Sequence, residues 1–224
     1  MKKKILIVMI TTTTFITSTT AQDKSVRIGL KAGLNFSLFK VSDLSSGAVS
    51  SVKNDNGFFV GSQVEIRLSK KFSIQPEILY ITDGVVDYEP AGSGSDRVLN
   101  NENLQHISIP ILAKLHIGHL AIYAGPQISL LTSATIMDHV NYTGNKMNVT
   151  NESYSKTSFS GIIGLEYTFK YRFGIDARYQ FGLSNVSASN GTTPLTYVNG
   201  QNIKLSGFQT GLYFRFGRKP NKKS

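Results

Sequence analysis

The sequence has no cysteine and no tryptophan, and only 6 prolines in 224 residues. Without cysteine there is neither a disulfide framework nor a lipid-modified N-terminus. Long apolar runs are missing too. The segment from Ile5 to Ile16 is diluted by threonine and too short to span a bilayer as a helix. No later stretch reaches the roughly 18 apolar residues that a transmembrane helix needs. Acidic residues are few, 14 against 24 lysines and arginines, for a net charge of +10. Three of those charges are Lys2, Lys3 and Lys4, and four are Arg218, Lys219, Lys222 and Lys223, leaving about +3 for everything between. That remainder is too small for a nucleic-acid-binding surface.

What the chain does have is a period of two. In Ser158 to Asn185 the odd positions Phe159, Ile163, Leu165, Tyr167, Phe169, Phe173, Ile175, Tyr179, Phe181 and Leu183 are apolar. The even positions Ser160, Glu166, Thr168, Asp176, Arg178, Gln180 and Ser184 are polar. Alternation of this kind marks a strand with one apolar and one polar face. The parity survives the reversal at Lys170, Tyr171 and Arg172, as a hairpin requires. Each arm is about a dozen residues long, and a tilted strand needs about 9–11 to cross a bilayer.

The same alternation recurs at Val26–Leu38, Gly57–Leu68, Phe72–Thr82, Leu104–Ile117, Leu120–Leu131 and Ile203–Gly217. Short turns separate some of these strands, at Ser69-Lys70-Lys71 and at Gly118-His119. Long polar segments separate others, at Val41–Asn56, Asp83–Asn103, Thr132–Ser155 and Val186–Asn202. Eight strands with alternating short turns and long loops predict an all-β fold, an eight-stranded antiparallel up-and-down transmembrane β-barrel. Closure removes the sheet edges that lipid cannot solvate. A soluble lipocalin-like barrel would place the apolar face inside. Against it stand a polar face rich in Gly, Ser and Gln, and aromatics near strand ends at Phe72, Tyr80, Phe159, Tyr167, Phe169, Phe173, Phe181, Phe214 and Phe216. Pro76, Pro110 and Pro126 interrupt three strands and are expected at bulges or bends.

Residues 1–21 read as a signal peptide: a basic start, an apolar middle, and Thr19-Thr20-Ala21 before Gln22. The barrel domain is expected over 22–217, followed by a basic periplasmic tail, 218–224. The protein is expected in the bacterial outer membrane, exported by that cleavable signal, with outer-membrane lipid as its surroundings.

On the inferred lumen face lie Arg27, Lys31, Arg67, Lys114, Arg178 and Arg215, with Glu65, Glu77, Glu166 and Asp176. In so narrow an interior these charges must pair, because an unpartnered buried charge is costly. The expectation is a structural network; a narrow polar path or a proton-linked switch is the alternative. His106, His116, His119 and His139 share no metal-ligand spacing, and His106 and His116 sit near opposite ends of one strand. No metal, cofactor or catalytic site is expected. The sequons Asn141-Tyr142-Thr143 and Asn190-Gly191-Thr192 read as polar loop composition.

Four segments resemble landmarks of the PorT-type outer-membrane β-barrel family of Bacteroidetes. They are Ser73-Ile74-Gln75-Pro76-Glu77-Ile78-Leu79-Tyr80, Ile107-Ser108-Ile109-Pro110-Ile111-Leu112-Ala113-Lys114, Tyr123-Ala124-Gly125-Pro126-Gln127 and Gly174-Ile175-Asp176-Ala177-Arg178-Tyr179. The likeness spans nearly the whole region after the signal. It implies an eight-stranded barrel in a Gram-negative outer membrane. It also implies, for some members, a link to the type IX secretion apparatus, and it brings no catalytic residues. The functional expectation is a non-enzymatic outer-membrane barrel that anchors surface loops, as an envelope or secretion accessory. The alternatives are an adhesin or ligand-binding protein acting through its loops, and a narrow channel.

Overall fold

The computed structural model describes residues 26–42, 52–89, 97–138, 146–148, 155–169, 172–186 and 202–216. The expected signal peptide, the basic tail, His139 and both sequons lie outside them. The strands are β1 (Val26–Ser42), β2 (Val52–Arg67), β3 (Phe72–Glu89), β4 (Arg97–Ile117), β5 (Leu120–Asp138), β6 (Lys146–Asn148), β7 (Thr157–Phe169), β8 (Phe173–Gly182) and β9 (Asn202–Arg215). Each long strand pairs antiparallel with its neighbour in sequence, β5 pairs β7, and β9 returns to β1. The result is a closed eight-stranded barrel, with the three-residue β6 added beside β5.

The register fixes the shape. A path across the rungs from Val26 runs through Ile66, Ile74, Ala113, Ala124, Ile163, Tyr179 and Phe208. It meets β1 again at Phe36, a stagger of 10 residues. With about 3.3 Å per residue and about 4.8 Å between strands, that stagger tilts the strands by about 40° and gives a backbone radius of about 8 Å. A cylinder that narrow is filled by its own side chains.

The side chains divide by parity. Facing outward and exposed are Leu30, Leu34, Ile78, Ile111, Ile122, Ile163, Leu165, Ile175 and Leu212. Phe72, Phe159, Tyr167, Phe169, Phe173, Phe181, Phe214 and Phe216 also lie on the outer surface. Tyr167 stacks edge-on with Phe169 at 5.0 Å, and Phe214 with Phe216 at 5.2 Å. Tyr80 is half-buried beside Phe58. Lysine, arginine, glutamate and glutamine are buried on the inner face instead. This is the inverse of a water-soluble fold and the arrangement a bilayer selects. No helix among the described residues is long and apolar enough to cross a membrane.

Three expectations need correction. First, the strands run past their expected loop-side ends: β3 and β4 continue to Glu89 and from Arg97, so most of Asp83–Asn103 is sheet. Likewise β2 begins at Val52 and β5 reaches Asp138. Polar, Asn-rich composition resembles a loop, yet two paired strands satisfy each other's backbone groups whatever their side chains. Second, the prolines make no bulges. Pro76 stays opposite Ile111, Pro110 opposite Gln127 and Pro126 opposite Gly161. The register shifts lie elsewhere, at Asp55/Phe59, Asp87/Tyr88 and Gln105/His106. Proline removes a rung without adding a residue, so the ladder has a gap there and keeps its register. Third, the inner face is not uniformly polar: Phe59, Leu79, Ile81, Leu104, Leu112 and Ile162 are buried inside.

The short turns are tight. Gly118 holds φ of 64° between β4 and β5. A side chain in that conformation costs about 1–2 kcal/mol, so Gly118→Ala should lower unfolding stability in detergent by about 1 kcal/mol without altering the fold. Equilibrium urea titration would check this.

Candidate functional site

Arg27, Lys31, Glu65, Glu77, Lys114, Glu166, Asp176, Arg178 and Arg215 are buried, and Arg67 is half-buried beside Glu65. Two clusters form at successive heights. Near the short turns, Glu65 accepts a hydrogen bond from Arg67 at 2.9 Å and is ion-paired with Arg27 at 3.4 Å and Arg215 at 3.1 Å. Glu166 pairs with Lys114 at 2.5 Å and also with Arg215. One level up, Lys31 lies 3.2 Å from Glu77 and 3.1 Å from Asp176. Arg178 reaches the same two carboxylates at 2.9 and 3.4 Å.

Gln75 joins the clusters. Its Oε1 accepts from Lys114 Nζ at 2.8 Å, and its Nε2 donates to Glu77 at 2.7 Å and to Gln63 at 3.1 Å. Six cations and four carboxylates thus form one connected network, sealed except at the margin, where the Arg67 side chain is 28% exposed. A carboxylate so enclosed is satisfied only while its cations stay in place, so the network fixes the relative positions of β1, β2, β3, β4, β7, β8 and β9.

Aromatic rings fill the remaining space. The Tyr123 hydroxyl donates to Asp176, and Arg178 lies over the rings of Phe59 and Tyr123 at 5.9 and 5.8 Å. Arg215 covers Tyr213 at 4.3 Å. Phe59 is accommodated because Gly33 and Gly211 face one another across β1 and β9. A Cβ on Gly33 would stand 2.8 Å from the Phe59 ring, and one on Gly211 would stand 2.7 Å from it.

Toward the loops the lumen carries a neutral-to-acidic cluster. His106 Nδ1 lies 3.1 Å from Asp83, whose other oxygen accepts from Asn35 at 2.6 Å and Ser37 at 2.5 Å. Gln209 donates to Asn35 at 3.0 Å. Asp83 thus belongs to β3 and not to the loop expected to begin there, and Tyr123 faces inward from β5. Parity would have found both. Asp83 continues the odd-numbered inner face of Ser73, Gln75 and Glu77, but the inward Leu79 and Ile81 interrupt the polar pattern before it. Tyr123 is out of phase with the outward Ile122 and Ala124.

The histidines separate as their spacing implied. His116 contacts Ser73 at 2.7 Å near the short turns, whereas His106 sits with Asp83 at the other end. Among the described residues no group of three or more His, Cys, Asp or Glu is arranged to hold a metal ion.

Several solved structures are similar in fold. Neisserial surface protein A matches with a TM-score of 0.51 at 13% identity, covering 87% of this chain and 100% of that one. The attachment invasion locus protein Ail of Yersinia pestis matches with a TM-score of 0.46 at 14% identity, covering 85% and 98%. OprG of Pseudomonas aeruginosa matches with a TM-score of 0.46 at 11% identity, covering 87% and 98%. No curated protein matches the sequence significantly. The profile of one family, described as outer membrane protein beta-barrel domain, matches residues 20–188. With three quarters of its length under that profile and an apolar-out, polar-in closed barrel, the chain belongs to the outer membrane protein β-barrel domain family.

Proposed function

We propose that the protein is a non-enzymatic outer-membrane post: a barrel locked shut by its own side chains that holds surface-facing segments in place. The observation that carries this reading is the packed lumen. Arg178, Arg215, Tyr123, Tyr213, Lys31, Phe59 and Lys114 are each less than 2% exposed. An interior so filled with side chains argues against the narrow channel. The buried Asp83–His106 pair is enclosed by Asn35 and Ser37, both engaged with Asp83, which supports a structural rather than a catalytic role.

The segments carried by the post are 43–51, 90–96, 139–156 and 183–201, the third including β6. The resemblance to PorT-type barrels favours an envelope or type IX secretion accessory as the specific role. The length of the paired strands β3 and β4, 18 and 21 residues, favours a second reading, a surface-binding protein. The two differ in what fails when a segment is removed. Shortening 90–96 in the chromosomal copy should leave the secretome of the strain unchanged if the protein is a surface binder. A secretion accessory should lose exported proteins when the whole gene is deleted. In planar bilayers the purified protein should give no discrete conductance steps; reproducible steps would overturn the closed-post reading.

A further inference from the structure

The short-turn rim of the barrel differs in charge from the rest of the molecule. Turns of this kind face the periplasm, where an even-stranded barrel also leaves its termini. The β2–β3 turn exposes Lys70 and Lys71, and the β7–β8 turn exposes Arg172. The turn segments 68–71, 118–119 and 170–172 contain no Asp or Glu. The carboxylates on the adjoining strands, Glu65, Glu77, Glu166 and Asp176, are buried and engaged by lumen cations. These exposed cations therefore have no acidic neighbour on their own rim among the described residues.

The rim is also held rigidly at one depth. The His116 amide donates to the Lys71 carbonyl at 2.7 Å, and the Thr168 amide to the His119 carbonyl at 2.9 Å. The Arg215 amide donates to the Arg172 carbonyl at 2.7 Å, and the Phe216 amide to the Ile28 carbonyl at 2.7 Å. Each turn is thus tied to the strand beside it. Directly adjoining the cations are Phe72, Phe173, Phe214 and Phe216, exposed on the lipid-facing wall. Aromatic rings of that kind settle at the junction of acyl chains and headgroups. The cations just beyond them then stand at the level of the phosphates.

We propose that Lys70, Lys71 and Arg172 form a binding rim for anionic phospholipid headgroups of the periplasmic leaflet. The charge is complementary, and the surface continues the wall that lipid already covers. A cation near an anionic membrane surface favours it by about fivefold per charge.

The test is native mass spectrometry of the purified barrel from nanodiscs of equimolar phosphatidylglycerol and phosphatidylcholine. Wild-type protein should retain phosphatidylglycerol at least about fivefold over phosphatidylcholine. The variant Lys70→Ala/Lys71→Ala/Arg172→Ala should retain both equally, with folding verified by unchanged heat-modifiable gel migration. Raising salt to about 0.5 M shortens the screening length to about 4 Å and should reduce the wild-type preference. A chain ending at Gly217 should keep the preference. Equal retention by wild type would overturn the proposal. So would a preference that survives in the triple variant, or one that disappears only when the basic tail is removed. If the triple variant alone fails to fold, Lys70→Gln/Lys71→Gln should still cut the preference by at least about fivefold, and an unchanged ratio there would overturn the proposal equally.

Discussion

Replacing Glu166 by alanine should cost about 3–5 kcal/mol of unfolding free energy, because it strands two buried cations at once. Lys114 would lose its 2.5 Å carboxylate partner and keep the neutral Gln75 Oε1, while Arg215 would keep Glu65 as its paired carboxylate. Glu65 already pairs with Arg27 and Arg67 as well as Arg215, so this one carboxylate would be left to balance three guanidiniums. Urea titration of the purified barrel in micelles, read by the fast-migrating unboiled gel band, measures the loss. The double variant Glu166→Ala/Lys114→Met should recover part of it, since it removes one stranded charge along with the carboxylate. A cost within about 0.5 kcal/mol for Glu166→Ala would mean that water replaces the carboxylate freely and that the lumen is wet.

The second large effect is expected at Phe59. Its ring occupies the space that Gly33 and Gly211 leave, and Arg178 lies over it. Phe59→Ala opens a void in a wall that cannot collapse inward, because the closed ladder holds the radius, so about 3–5 kcal/mol should be lost. Gly211→Ala should cost about 1–3 kcal/mol by overpacking, since the new Cβ meets both the ring and the Ala32 carbonyl oxygen. In the Phe59→Ala background Gly211→Ala should cost less, because only the carbonyl clash remains. Strict additivity in that cycle would show that the ring and the glycine pair do not share their space.

The barrel was legible in the sequence because a bilayer demands parity from every strand. Leu165, Tyr167 and Phe169 on β7, or Ile107, Ile109 and Ile111 on β4, admit only one assignment of faces. By the same parity Glu65, Glu77, Glu166 and Asp176 all fall on the opposite face, where they are buried. Pairing between particular residues did not follow. It depends on the stagger of 10, which brings Lys31 of β1 beside Asp176 of β8, and no local pattern encodes that number. Strand ends were illegible for a related reason. Above the bilayer the apolar constraint lapses, so the upper parts of β3 and β4 carry Asn, Asp and Glu and read as loop.

Those upper parts make the described strands unequal in length. β3, β4 and β5 run for 18, 21 and 19 residues, and across the ring β7, β8 and β9 run for 13, 10 and 14. With about 11 residues of β4 spent inside the membrane, the rest reaches roughly 25 Å beyond it at the barrel's tilt. A macromolecule descending on the cell would therefore meet a stiff, backbone-bonded parapet along the β3–β5 flank. Its angle of approach would be set by the protein's rotation about the membrane normal.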